Sequence, residues 1–383
     1  MIASSPPRVV HGLPHLPATE RWAAEPSAAP LVAAQQALTQ AATANPQLQF
    51  AALQAAALLA AYHDRWAAAA WQPCEIAGRF QVPLVNPDTG RPSRTFIHAG
   101  AYAGIVQIGE RRWLLEFRTT SNEIAWPQAP FWQSLNFDAQ TAAYLLAHDR
   151  AGQSLAGVAY DVVRRPEIRP RLVPKGSARR WPAENLGTLI EIEQGTYWGQ
   201  PLPGHAGGFI DADGRETLEL FGLRLASDAR SRPDWYFQRQ LTPRNDEQLR
   251  RQASDLWQTA GAIRLARRFA QHYRNPAACW NYHSPCEFLN HCSQSQPAEE
   301  PGTDRSAPAN QLRSSLAHEA REALTHSRLR CFQLCRRKHF YRYELGMRSL
   351  QAPSAAGQFG RLMHLALAAW WRTRLEAAPT EEK

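Results

Sequence analysis

The 383-residue sequence predicts an α/β protein with a mixed central sheet flanked by helices. Three observations carry that expectation. An Ala- and Leu-rich opening at 31–70 has helical periodicity, and the stretch 74–120 reads as strands and tight turns. Beyond 135, helical and strand patterns take turns. A chain of this length holds one large α/β domain or two smaller ones.

Residues 1–30 are rich in Pro and Ala and read as irregular. Two Ala-rich helices are expected between Leu31 and Ala70, separated near "ANPQ", the second ending in "AAYHDRWAAAA". Strands follow as "CEIAGRFQVPLV", the turn "NPDTGRP", "RTFIHAGAYAGIVQI", the turn "GE" and "RRWLLEFRTT". "SLNFDAQTAAYLLAHD" reads as helix and "SLAGVAYDVVRRP" as strand. Residues 166–232 contain much Pro, Gly and Arg, which predicts long loops with a short hairpin near "GGFIDADGRETLEL". One amphipathic helix is expected from Asn245 to His272. A compact cysteine segment, "CWNYHSPCEFLNHC", comes next, then a polar linker at 293–311 and a tail ending in the helix "QFGRLMHLALAAWWRTRL". The chain thus divides into an irregular and helical region (1–72), a core (73–292), the linker (293–311) and a C-terminal helical segment (312–383).

The chain carries 43 Lys+Arg against 34 Asp+Glu, a formal net charge of +9. Most of that excess is arginine, whose planar fork grips phosphate, so the balance suits a polyanionic partner such as nucleic acid. The start "MIASSPPRVVHGLPHL" has no charged segment followed by an apolar one, and "AALQAAALLAAY" (Ala51–Tyr62) is too short to span a bilayer. A cytoplasmic location is expected, where six cysteines are thiols or metal ligands rather than disulfides.

Strand residues two apart share a face, so in "RRWLLEFRTTS" Leu114, Glu116 and Arg118 look one way and Trp113, Leu115 and Phe117 the other. The plain reading of Glu116 and Arg118 is a same-face ion pair. The chemical reading is hydrolysis of a phosphodiester, which wants two carboxylates on a divalent metal and a lysine beside the attacking water.

The stretch "AGAYAGIVQIGERRWLLEFRTTS" is followed by Leu135, Asp138, Gln140 and Tyr144, then by Tyr160-Asp161-Val162 with Arg164, Arg165 and Pro166. In that order and spacing these residues resemble the PD-(D/E)XK nuclease core, specifically its RecB-like branch. The resemblance implies a restriction-endonuclease-like fold and an ancestral Mg²⁺- or Mn²⁺-dependent cleavage of DNA, exonucleolytic and acting on single strands or ends. It makes Glu116 a residual metal ligand, sets Arg118 where the family has its Lys, and gives Gln140 the task of orienting that residue or the substrate. The family's metal-binding Asp falls on Ala103 and an upstream Glu on Ala77. One carboxylate holds Mg²⁺ weakly and arginine stays protonated near neutrality, which implies a DNA-binding scaffold with impaired catalysis. One alternative is a working nuclease in which Asp88, Asp138 or Glu75 replaces the lost carboxylate. Another is a non-catalytic, metal-stapled adaptor of a repair or phage complex.

Cys279, Cys286 and Cys292 form C-x6-C-x5-C, near metal-ligand spacing but without a fourth member. "HSRLRCFQLCRRKHFYRYELGMRS" and "FGRLMH" resemble the segment that supplies an upstream cysteine and a G-x-x-x-H motif in the iron–sulfur members of the family, the AddB-type and CRISPR-associated exonucleases. Here that segment stands at the other end of the chain. The order therefore reads as a circular permutant whose tail completes its own core, or as a tandem whose tail completes a neighbouring copy. With the tail folded back, the resemblance implies a [4Fe–4S] cluster on Cys279, Cys286, Cys292 and Cys335, with Zn²⁺ on the same thiolates as the alternative. Ordinary, unligated cysteines are the plain reading, and Cys331 and Cys74 are spare. His364 reads as an extra metal ligand or phosphate contact, or as a core histidine. Arg164, Arg165, Arg169, Arg171, Lys175, Arg179 and Arg180 read as a phosphate-contacting run or a solvated loop. Trp126, Phe131 and Trp132 read as packing residues or as a stacking platform for a base.

Overall fold

The computed structural model describes residues 27–171, 196–198, 200–201, 216–281, 284–293, 303–304, 321–349 and 353–378. Helices α1 (Ala29–Ala44) and α2 (Gln49–Trp66) open it. The break between them falls at Asn45, whose side chain accepts from the Gln47 N–H at 3.1 Å and starts a separate turn. α2 stops at Trp66 rather than near Ala70. The Trp66 carbonyl accepts from the Ala69 N–H at 3.1 Å in one closing turn, and it and the Ala69 carbonyl also accept from the Arg374 guanidinium, at 3.1 and 3.0 Å.

Two mixed sheets follow. Strands β1 (Gln72–Ile76), β2 (Arg79–Val85), β3 (Pro92–Ala101), β4 (Gly104–Ile108), β5 (Arg111–Thr120) and β6 (Gly157–Arg164) run in chain order, with β7 (Phe237–Pro243) and β8 (Glu322–Leu324) later. The larger sheet has the order β1-β4-β5-β6-β7, antiparallel except for the β5–β6 pair. The smaller has the order β8-β3-β2, with β8 and β3 parallel.

Each of two strands expected to be continuous splits between the sheets. The first breaks at Ala77, which has φ 59°, and at Gly78, where a Cβ would come 2.2 Å from the Tyr102 ring. The second breaks at Tyr102 and Ala103. The breaks face each other: the Ala77 N–H donates to the Ala103 carbonyl at 2.8 Å and the Tyr102 N–H to the Gly78 carbonyl at 3.0 Å. The freed backbone groups therefore pair across the junction.

Helices α3 (Pro130–Leu135) and α4 (Ala139–Arg150) carry the parallel crossover from β5 to β6. All eight residues of β6 are buried, as befits a central strand covered on both faces. Helix α5 (Leu218–Ser231) lies where loops and one arm of a hairpin were expected; residues 207–215 of that hairpin lie outside the described residues. Thr217 caps it, and Phe221, Leu225 and Ala229, four residues apart, make a stripe buried with α2. Helix α6 (Asp246–Arg268) begins at a capping box, Asn245 with Gln248, and ends before Ala270, which has φ 51°.

The C-terminal segment packs on this chain's own core. β8 joins β3 through the pairs Glu322–Phe96 and Leu324–His98. After α7 (His326–Leu334), helix α8 (Ala355–Glu376) buries Phe359, Leu362, Met363, Ala366, Leu367, Trp370 and Trp371 against α1, α2, β1 and β5. Among the described residues no helix is long and apolar enough to cross a membrane.

Candidate active site and cysteine pocket

β5 aims Glu116 and Arg118 at the N-terminus of α4. Glu116 is 6% exposed. The Arg118 guanidinium donates to Glu116 Oε1 at 2.8 Å through one nitrogen and to Asp138 Oδ2 through the other. Asp138 interrupts the helix expected over 134–149 because its side chain caps α4. Its Oδ1 accepts from the Gln140 and Thr141 N–H groups at 3.0 and 3.4 Å. Tyr160 of β6 closes the cluster, its hydroxyl 3.4 Å from Asp138 Oδ2 and 2.9 Å from Thr141 Oγ1.

Burial pushes the Glu116 carboxyl up to about 7, opposed by the Arg118 charge and helped by Asp138. Burial also works against the Arg118 cation, yet Glu116 and Asp138 hold its pKa above the ordinary arginine value. At 22% side-chain exposure Arg118 is the part of the cluster that solvent, or a phosphate, reaches most easily.

Several expected site residues stand elsewhere. Gln140 Nε2 donates to the Tyr144 hydroxyl at 3.0 Å, so it braces α4 instead of orienting Arg118. His364 packs edge-on against Phe117, centroids 6.0 Å apart, on the face of β5 opposite to Glu116. It is therefore not a metal ligand shared with that carboxylate. Burial, then the Arg118 charge, lowers His364 to about 4, leaving a neutral ring whose Nε2 finds no hydrogen-bond partner among the described residues. Ala103 comes level with Glu116, one step past the last ladder pair Gly104–Leu115, and bonds to Ala77. Ala103 and Ala77, on which the resemblance sets two carboxylates, are thus neighbours here. Of the replacement candidates, Glu75 bonds to the Tyr102 hydroxyl at 2.9 Å and Asp88 sits in an exposed turn. Only Asp138 reaches Arg118.

Arg164 is not presented to a phosphate. It is 6% exposed, bonds Glu123 at 3.0 Å and lies 3.6 Å over the Trp235 ring. Arg165 is half-buried and Arg169 exposed, Arg171 pairs with Glu216 at 3.5 Å, and Lys175, Arg179 and Arg180 lie outside the described residues. Trp132 is buried and donates to the Ile124 carbonyl at 2.9 Å, whereas Trp126 is exposed. Tyr160 was read as part of a motif but given no role at the site, and His326 was not singled out by the sequence. His326 opens α7 within electrostatic reach of Asp138 and Arg118, and burial lowers its pKa. His326 had no signal beyond its place beside a motif residue.

A second cluster forms where the tail meets the cysteine segment. Cys279, Cys286, Cys292 and Cys335 all line one pocket, together with Arg274, Arg337 and Lys338. The Cys286 N–H donates to the Cys279 carbonyl at 2.8 Å across a short hairpin, and Cys335 caps the C-terminal end of α7. Burial pushes the Cys286 thiol up, and that of the spare Cys331 up to about 11. Among the described residues no three His, Cys, Asp or Glu side chains are gathered tightly enough to hold a metal ion as they stand.

Residues 323–383 match the PD-(D/E)XK nuclease superfamily model. The match begins in β8 and takes in Cys335, Gly360 and His364. No curated protein and no solved structure matches the chain. Two mixed sheets flanked by helices agree with a restriction-endonuclease-like architecture, and the matched segment points to a nuclease-like function.

Proposed function

We propose that this protein binds DNA through a PD-(D/E)XK-type scaffold whose hydrolytic centre is impaired, and the observation that carries the reading is Arg118 lying between Glu116 and Asp138. A guanidinium there neutralises the two carboxylates that a divalent ion would need, while Ala103 and Ala77 contribute no side-chain oxygen. Mg²⁺ demands near-octahedral oxygen ligation, so the donor set as it stands does not fit that ion. The same guanidinium is well made to hold a phosphate. The net charge of +9 favours DNA on electrostatic grounds, and single strands or ends are the substrate this reading expects.

A second reading is favoured by one specific observation, the presence of Asp138 beside Glu116. With Arg118 swung onto a substrate phosphate, these two carboxylates form the minimal pair for a working nuclease using Mg²⁺ or Mn²⁺. Wild type and Glu116→Ala are compared on labelled single-stranded DNA with each metal. The expected result is salt-sensitive binding with no Glu116-dependent cleavage. Strong cleavage lost in Glu116→Ala would replace the first reading by the second, and no binding at low salt would leave a non-catalytic adaptor.

For the cysteine pocket we infer a [4Fe–4S] cluster, with Zn²⁺ as the rival. The four thiols that line it meet the ligand requirement, and Arg274, Arg337 and Lys338 favour thiolates. Such a group would act as a staple between the cysteine segment and the end of α7. Anaerobically purified protein is expected to show broad visible absorbance that Cys335→Ser abolishes. Colourless protein carrying stoichiometric zinc would decide for the rival.

A further inference from the structure

Between the end of α6 and the end of α7 runs an open groove that adjoins the cysteine pocket and shares Arg274, Asn275 and Cys335 with it. Its walls include Gln258, Thr259, Tyr273, Arg274, Gln333 and Arg336, and no carboxylate lines it among the described residues. Tyr273 is 58% exposed, and the Arg336 guanidinium lies 4.6 Å from its ring centre and 5.0 Å from that of Phe332. Among the described residues neither Arg274 nor Arg336 has a carboxylate partner, unlike Arg118, Arg164, Arg224, Arg239 and Arg267.

An exposed large aromatic ring, unpaired arginines and amide side chains in one groove form a particular chemistry. A base stacks on the ring, the backbone phosphate meets the guanidinium, and the amides tolerate any base edge. A protein partner would call for a continuous apolar wall, and here the apolar side chains Ala262, Phe332 and Leu334 are interrupted by arginine, amide and hydroxyl groups.

The groove's position supports the same occupant. α7 starts at His326, within reach of Asp138 and Arg118, and its other end, Leu334, lines the groove. At 1.5 Å per residue α7 itself is roughly 13 Å long. A strand that leaves Arg118 along α7 would reach the groove.

We propose that this groove is a single-stranded DNA subsite in which Tyr273 stacks a base and Arg274 and Arg336 hold the backbone; the assignment rests on the DNA-binding reading of the preceding section. The test is fluorescence anisotropy of a labelled oligothymidylate across a salt series, with the full-length chain. Tyr273→Ala is expected to weaken binding about tenfold and Tyr273→Phe to stay within about twofold, since the phenylalanine keeps the stacking face. Arg336→Ala is expected to flatten the salt dependence by about 0.7 in the log–log slope, one phosphate contact on a single strand. If wild type binds and all three variants bind alike, the strand runs elsewhere or the groove serves a protein, and this inference falls while the DNA-binding reading stands. If a duplex of equal length displaces the oligonucleotide as well as a single strand does, the single-strand assignment falls. If wild type does not bind at low salt, both fall together.

Discussion

A guanidinium held between two carboxylates changes what each of them is able to do, and Glu116 shows the change most clearly. The carboxyl is nearly sealed from water, and burial raises it from an ordinary 4.5 to about 7 even with Arg118 at 2.8 Å. The folded protein therefore holds a proton on Glu116 over a range in which the unfolded chain has already released it. Stability from this group is present in full below about pH 4.5 and is lost as pH rises through about 7, because in that window the folded state binds more protons. The shift corresponds to on the order of 3 kcal/mol across the window. Glu116→Gln, which mimics the protonated form, should lack this loss. In urea unfolding at a series of pH values, wild type is expected to fall relative to Glu116→Gln between those limits. A stability difference that stays flat with pH would mean that Arg118 already keeps the carboxyl ionised. Any divalent ion has to displace that proton as well as Arg118, a second reason for weak metal binding near neutrality.

At the scale of elements, local rules explain what was legible. Asn245 and Gln248 spelled out a capping box, and α6 starts there. The alternation in "RRWLLEFRTT" placed Glu116 and Arg118 on one face, and β5 presents them so. Two kinds of feature were not legible. The splits at Ala77–Gly78 and Tyr102–Ala103 depend on each other across the junction, and neither alanine signals a left-handed turn or a strand end. Helix α5 was hidden by the Asp-Gly pair ahead of it, and its helical face is apolar only because α2 is there to cover it. Asp161 belongs to the same class. From within β6 its Oδ2 accepts from Tyr62 of α2, from Arg239 of β7 at 3.0 Å and from Trp371 of α8 at 3.3 Å. Arg239 in turn lies within 4.4 to 4.9 Å of the Trp66, Trp71 and Trp371 ring centres. A buried charge with so many partners ties four elements at once, but its partners are scattered from position 62 to 371, beyond the reach of any local pattern.

Those long ties set the argument for the whole molecule, whose last sixty residues act as interior parts of a fold begun some three hundred residues earlier. Trp370 and Trp371 are fully buried, Trp370 donates to His63 at 3.1 Å, and Arg374 donates to the Trp66 carbonyl at the end of α2. At the other end of the segment, the Arg267 fork of α6 grips Glu322 of β8 at 2.9 Å through both oxygens. Near the cysteine pocket, Arg342 and Lys338 hold Glu287 at 3.2 and 3.1 Å. Each fully buried large side chain of α8 contributes on the order of 2 kcal/mol, so its buried face is enough to hold the segment on the core. The covalent link through 305–320 should then be dispensable once folding is complete. A protease site inserted there and cut in the purified protein is expected to give two fragments that co-elute with the uncut chain and separate only in denaturant. A cut product in which fragment 1–311 elutes free of the tail would show that the interface is too weak to hold by itself. Elution of uncut and cut protein alike at twice the chain mass would favour the tandem arrangement, with each tail completing the core of a neighbour through the same Asp161, Glu322 and Trp371 contacts.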